Sequence, residues 1–496
     1  MNMLRVFLVL TGIAGMMLFS GCKTESDYRR ERAEKAVRYF ERVKLHTLPH
    51  DTRLTLKDCI EMGLAHNLDL KVKHQEEDIA SELRTAELLG MLPELNINDG
   101  FSGRSNTPAS GSKAYASDGA SYGPAQNQDK ILNTFNIDLA LSVMDFGLAF
   151  FNSQQAHDRV ILRKKQTERM AQNLTLDIIN AYCRVAAAQK AVELSRNMQQ
   201  VCNERLNLIR ALRTSKGKDK LSDFRAFEEI RRFNEVDRRL TTFEQDFQNA
   251  CVELRSLLGL YSTVTFSVDD SFLDQEPPSA SSLPDLDVLE ETALIRRPEL
   301  QQTEIQRHIS ILECRKAIVT MFPNARLFLD FNNVNNSFLY NQNWWSMGLF
   351  ATINLLKLPQ KITMAIAYYN QADSETMRTY GQSIAVIAQV RIAHANIRAN
   401  QEVFDKADKA FKNFNEALTS VKKNRKILTS TNNVTRLELD HMELTTAESR
   451  LERNLALADY YVSFFRLMNT VGLQDYKIES MNKLPEELKK KQEEVK

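Results

Sequence analysis

The chain has 496 residues, enough for several domains, and its 65 basic and 64 acidic side chains leave none of the basic excess that marks a nucleic-acid binder. Glycine and proline are scarce, at 16 and 11, while charged residues reach 26%, a balance that favours long solvated helices over a loop-rich fold. None of the six cysteines forms a CxxC pair. Cys59, Cys183, Cys202, Cys251 and Cys314 fall in helical patterns and read as small apolar packing residues rather than a disulfide framework.

At the N-terminus Arg5 precedes an apolar run from Val6 to Phe19 that closes in Ser20-Gly21-Cys22. A basic start, a short apolar core and a small-residue close read as a secretory signal over residues 1–21. The run is too short for a spanning helix, which needs about 20 residues. A cysteine directly after Ser-Gly resembles a bacterial lipobox, so Cys22 is the expected lipidated first residue, although Phe19 stands where a leucine is usual. Residues 22–53 then form an N-terminal segment exported with the rest. No later stretch has the length and apolarity of a transmembrane helix, so a membrane-spanning form requires strands in a closed barrel.

The first repeat spans residues 54–261. A helical pattern over Leu56–Leu89 is stopped by Pro93, and a short alternating strand runs from Leu95 to Phe101. The Gly-, Ser-, Asn- and Ala-rich stretch from Ser102 to Leu132 suits a long exposed loop. From Phe135 the chain alternates apolar Phe135, Ile137, Leu139, Leu141 and Val143 with Asn136, Asp138, Ala140 and Ser142, a half-buried strand. A helix follows from about Leu148 to Arg213, and its apolar seam (Leu174, Ile178, Ala181, Val185 and onward) steps by four and three. That mean step of about 3.5 is the coiled-coil period, and some 65 residues of helix extend roughly 100 Å. A shorter helix over Leu221–Leu258 closes the repeat.

After a linker at 262–285 the order recurs over 286–473. A gapless shift of 230 residues lays Leu56 on Leu286, Leu70 on Leu300, Ile79 on Ile309, Pro93 on Pro323 and Phe101 on Phe331. The strands are Leu327–Phe331 and a second with Trp345, Met347, Leu349, Ala351 and Ile353 on its apolar face, where Phe350 breaks the polar side. The long seam returns as Val386, Val390, Ala393, Ile397, Asn400, Phe404 and onward. Residues 474–496 form a charged tail. Four alternating strands of barrel length match a wall that is apolar toward lipid and polar toward a wet lumen, but four do not close a barrel. The membrane reading therefore requires several copies. A small soluble sheet looks the same within one strand, and that reading stays open.

These residues carry a family resemblance. Leu54-Thr55-Leu56-Lys57-Asp58 through Asn67-Leu68-Asp69-Leu70 and Leu92-Pro93 resemble the opening helix of TolC-like outer-membrane efflux proteins. Met144-Asp145-Phe146-Gly147 resembles their strand-to-helix junction, and Leu257-Leu258-Gly259-Leu260 and Thr470-Val471-Gly472-Leu473 resemble their repeat endings. Two departures stand out: the second junction, Leu355-Leu356-Lys357-Leu358-Pro359, lacks the Asp-Gly pair, and the second helical tip, Thr429–Asn433, lacks a glycine. The resemblance implies a mainly α fold with a small β part, a duplicated helix-strand-strand-helix-helix repeat. It also implies a homotrimer whose 12-stranded barrel continues into a coiled-coil tunnel. The expected function is a passive exit duct of a tripartite efflux or type I secretion system, lipid-anchored in the outer membrane. Its expected partners are a periplasmic adaptor and an inner-membrane pump, with no cofactor. By the same resemblance Gly217, Lys218, Asp219, Asn432 and Asn433 are tip residues that meet the adaptor. Glu438, Asp440 and His441 lie where the family places an acidic pore constriction, with His441 in place of the second acid. His441 also falls on the seam Leu437, His441, Leu444, Glu448, Leu451, so helix packing is its alternative role.

Catalytic signatures are missing: no Walker A motif, no GxGxxG after a strand, no GxSxG, and no zinc-ligand spacing among the histidines. The rival to the channel reading is a periplasmic coiled-coil adaptor or scaffold lipoprotein, expected as a monomer or dimer extractable without detergent.

Overall fold

A computed structural model describes residues 23–45, 47–49, 52–111, 123–214, 223–280, 283–423, 433–473 and 483–484. Cys22, Gly217, Lys218, Asp219 and Asn432 lie outside them, as do the signal segment and most of the C-terminal tail. The helix α1 (Glu25–Lys44) lies in the N-terminal segment and opens on a reciprocal capping box, in which the Thr24 hydroxyl and the Asp27 carboxylate each accept the other's backbone N–H. The strand β1 (Thr52–Leu54) leads into α2 (Leu56–His66), capped the same way by Thr55 and Asp58.

The pattern over Leu56–Leu89 predicts one helix, and the structure divides it. Asn67 is extended (φ −60°, ψ 123°) between α2 and α3 (Leu68–Leu89). Downstream, α6 (Leu286–Arg296) and α7 (Pro298–Val319) part at Arg297 with nearly the same angles, φ −67° and ψ 124°. There the cause is local: Pro298 pushes the residue before it out of the helical region. Asn67 has no following proline, and its break coincides with a packing feature. Gly259 sits at φ +67° with its backbone against His66, and a Cβ there would lie 3.3 Å from the His66 Cβ. Gly472, at φ +83°, meets Arg296 in the same way, also at 3.3 Å. Each left-handed glycine ends a helix and fits beside the last turn before a break.

The remaining elements follow in order: β2 (Glu94–Gly103), β3 (Ala109–Ser110), β4 (Ala125–Gln126), β5 (Ile131–Ser142), α4 (Val143–Thr214), α5 (Asp223–Leu258), β6 (Phe266–Val268), β7 (Asn324–Val334), β8 (Asn343–Thr352), α8 (Leu358–Lys423) and α9 (Asn433–Val471). The helix α4 has 72 residues and α8 has 66, about 108 and 99 Å of helix at 1.5 Å per residue. α4 begins about five residues nearer its strand than the Leu148 start expected from the sequence. β5 passes into α4 with no intervening residue.

Two compact units divide the chain. One collects the described residues up to Asn67 with Leu174–Pro277 and Asn400–Val462; the other collects Leu68–Asn173, Pro278–Ala399 and the chain from Ser463. In the first, β1 and β6 pair in parallel, and Tyr182 on α4 donates its hydroxyl to the Asp269 carbonyl at 2.7 Å beside them. The predicted α4 seam is its core: Ile178, Ala181, Val185, Cys202 and Ile209 are almost wholly buried. The lower seam packs Cys202 and Ile209 with Phe233 of α5 and Leu444 and Leu451 of α9. Burial pushes the Cys59 and Cys183 thiols up to about 12 and that of Cys202 to about 11, as expected for packing residues rather than reactive ones. In the second unit Arg169 of α4 bonds the Asn469 side chain at 3.0 Å, and buried Arg297 pairs with Glu299 at 3.0 Å.

Candidate membrane and pore surfaces

Four strands form one antiparallel sheet in the order β2-β5-β7-β8, which leaves β2 and β8 as open edges. Its register keeps parity across every pair: Leu95 lies opposite Leu139, Leu139 opposite Leu329, and Leu329 opposite Met347. Ile97, Ile137, Phe331 and Trp345 make the next row. All odd-numbered side chains therefore share one face, and that face is apolar and uncovered: Leu95, Ile97, Leu139, Leu327, Met347 and Leu349 are exposed. Only Asp99 places a charge there within the strands.

The even face is its opposite. Asn98 donates to Asn136 at 3.5 Å, Asn136 to Asn332 at 2.8 Å, and Asn332 to the Ser346 hydroxyl at 3.3 Å, an amide ladder crossing all four strands. Arg326 bonds Asp138 at 2.7 Å on the same face. Aromatic rings interrupt it at Phe328, Trp344 and Phe350, and Gly348 lacks the Cβ that the Phe328 ring would otherwise strike. Ser142 is a working residue here, since its hydroxyl donates to Asn324 at 2.7 Å and accepts from the Asp145 backbone N–H at 3.1 Å. Among the described residues no helix is long and apolar enough to cross a membrane.

The three acid-ring candidates occupy different settings at the start of α9. Glu438 is exposed. Asp440 is 9% exposed, lies 2.6 Å from Arg205 of α4 as an ion pair and accepts a 3.3 Å hydrogen bond from the same guanidinium, so in the single chain its carboxylate is committed to helix packing. His441 is half-buried, with an Nδ1 that is buried and lacks a hydrogen-bond partner. The sequence reading missed Arg205, which lies more than two hundred residues upstream and has no local pattern to announce it. Asn433 opens α9, while the rest of the tip set is outside the described residues. No group of three metal-ligating side chains occurs among the described residues.

No protein-family model and no curated protein matches the chain by sequence. Solved structures do. The outer-membrane channel OprN aligns at 15% identity with a TM-score of 0.65, over 85% of this chain and 91% of that one. The Campylobacter jejuni CmeC outer-membrane channel gives 12% and 0.64, over 89% and 95%. The Vibrio cholerae outer-membrane protein VceC gives 14% and 0.60, over 84% and 96%. Aligned over 84–89% of its own length and 91–96% of theirs, the chain has the TolC-like outer-membrane channel fold.

Proposed function

We propose that the chain is the outer-membrane duct of a tripartite efflux or type I secretion system, a passive exit path and not an enzyme. Three copies close one 12-stranded barrel, and the helices extend into the periplasm as a coiled-coil tunnel. The observation that carries this is the sheet: an uncovered apolar face, a hydrogen-bonded polar face, and two open edges. An exposed apolar sheet face of this kind is unstable in water and matched by lipid, and open edges are stable only when paired. Pairing β8 of one copy with β2 of the next removes every edge.

Unfilled helix stripes support the same copy number of more than one. On α8, Ile362, Ile366, Tyr369, Met377, Tyr380 and Ile384 are exposed at three-, four- and eight-residue steps that keep them on one side of the helix. On α3, Leu68, Val72, Ile79 and Leu83 form another exposed stripe. Neighbouring copies supply the surfaces these stripes lack. The reading also places the lipid on Cys22, treats 54–261 and 286–473 as the two repeats, and directs the tips at Gly217–Asp219 and Asn432–Asn433 toward a periplasmic adaptor that links the duct to an inner-membrane pump. The matched breaks at Asn67 and Arg297, 230 residues apart, are what the duplication requires.

Native mass spectrometry from detergent and planar-bilayer recording test the proposal together. A three-chain complex with stepwise ionic conductance is expected. A monomer or dimer that stays soluble without detergent and conducts nothing instead supports the adaptor or scaffold reading.

A further inference from the structure

The two strand-to-helix junctions differ. At the first, β5 ends at Ser142 and α4 starts at Val143. At the second, Ile353 and Asn354 follow β8, and then a 3₁₀ turn at Leu355–Lys357 precedes α8. Asn354 fixes that turn by accepting the Lys357 backbone N–H at 3.3 Å. The turn holds two leucines clear of the protein, Leu355 at 66% and Leu356 at 94% exposure. Apolar side chains of that size are favoured out of water, so a short, capped turn that presents two of them implies a non-aqueous neighbour.

We propose that this turn is a membrane-interface anchor, seated where the helix-side leaflet of the bilayer meets its headgroups. The proposal rests on the barrel reading above. Continuity supplies the first argument. The exposed odd face of β8, with Trp345, Met347 and Leu349, runs on through exposed Ile353 to Leu355 without a polar break on that side. Length supplies the second. Ten residues of β8 at about 3.4 Å, tilted about 45°, rise roughly 24 Å, close to the roughly 25 Å apolar band of an outer-membrane barrel. The strand therefore uses up the hydrocarbon thickness, and the turn falls at its boundary. The third argument is the company the turn keeps. Leu92, Val143 and Phe322 are exposed at the other three strand ends on this side of the sheet, so the leucines belong to an apolar collar. Exposed Lys357 comes directly after the leucines, where an ammonium on a flexible stem reaches lipid phosphates while the leucines enter the acyl region.

Spin-label accessibility in proteoliposomes of phosphatidylethanolamine and phosphatidylglycerol tests the assignment on the full chain. The label is placed by Leu356→Cys in a Cys22→Ala, Cys314→Ala background, since Cys59, Cys183, Cys202 and Cys251 are buried. Leu349→Cys gives the barrel-face reference and Glu402→Cys an exposed helix reference. The expected result is a ratio of oxygen to nickel-chelate collisions at residue 356 that lies several-fold above that at 402 and approaches that at 349. A nickel-accessible label at 356, with 349 in lipid, overturns the anchor. So does a label at 356 screened from both quenchers, which identifies a neighbouring copy as the cover. A nickel-accessible label at 349 rejects the barrel itself and the anchor with it.

Discussion

Single residues decide this fold where the backbone takes a conformation that side chains resist. Gly259 and Gly472 occupy the left-handed region, at φ +67° and +83°, and each backs onto the last turn of a helix. Gly381 is a glycine in the interior of α8 where, beyond the helix's own backbone, nothing lies within 4 Å of where a Cβ would stand. The same substitution should therefore change sign between them. Gly472→Ala is expected to cost about 1–2 kcal/mol through its backbone alone, with more from the crowding against Arg296. Gly381→Ala is expected to gain up to about 1 kcal/mol, because alanine loses less freedom in a helix. Denaturant midpoints followed by circular dichroism check both, and equal shifts in one direction would show that these glycines are interchangeable spacers. The glycine at each repeat ending was legible in the sequence; the left-handed angle and the helix turn behind it were not, because the contact joins residues far apart in the chain.

The elements themselves were legible to the extent that their periods are strict. Period two in Phe135–Leu141 and in Trp345–Ile353 placed the apolar faces, and the register carries those faces unbroken across all four strands. The 3.5-residue seam of α4 falls almost entirely on buried residues, and that of α8 is buried from Val386 to Ile397 and at Phe404 and Leu418, while Phe414 is exposed. Three features escaped. The break at Asn67 has no proline to mark it, Leu355–Lys357 was legible as a junction but not as a 3₁₀ turn, and α1 sits in a segment read only as exported with the rest. Its Thr24–Asp27 capping box was the available signal. The strand faces give a sharp contrast at this scale. An arginine at Leu139 falls on the proposed lipid face and should cost about 2–4 kcal/mol near the midplane. An arginine at Asn96 falls on the opposite face, across from Asp138, and should be tolerated. Ser142, on the same face, would not serve as this control, because its hydroxyl caps the first turn of α4. Folding yield into lipid vesicles under a urea titration measures the difference; equal loss from both would contradict the assigned faces.

At the scale of the whole molecule, the entrance to the proposed duct depends on which acids remain free when three chains surround one axis. Glu438 is exposed at the start of α9, whereas Asp440 two residues on is buried against Arg205 of α4 at 2.6 Å. Three copies of Glu438 would make a ring that draws cations, as carboxylate rings do in other pores. Asp440 should instead hold α9 to α4 within each chain. The two acids are therefore predicted to fail in different ways. Glu438→Gln removes ring charge without touching the packing, so the reversal potential in a potassium chloride gradient should move toward the unselective value while thermal stability stays put. Asp440→Asn leaves Arg205 largely buried opposite a neutral amide, a change that in a buried pair costs about 3–5 kcal/mol, less here because Arg205 keeps some solvent contact. Stability should then fall while the charge facing the axis, and with it the selectivity of the channels that still assemble, is retained. Recording both variants beside the wild type in planar bilayers, with unfolding followed on the same preparations, separates the roles. A shift in reversal potential from Asp440→Asn as large as that from Glu438→Gln would mean that assembly frees Asp440 from Arg205 and adds it to the ring.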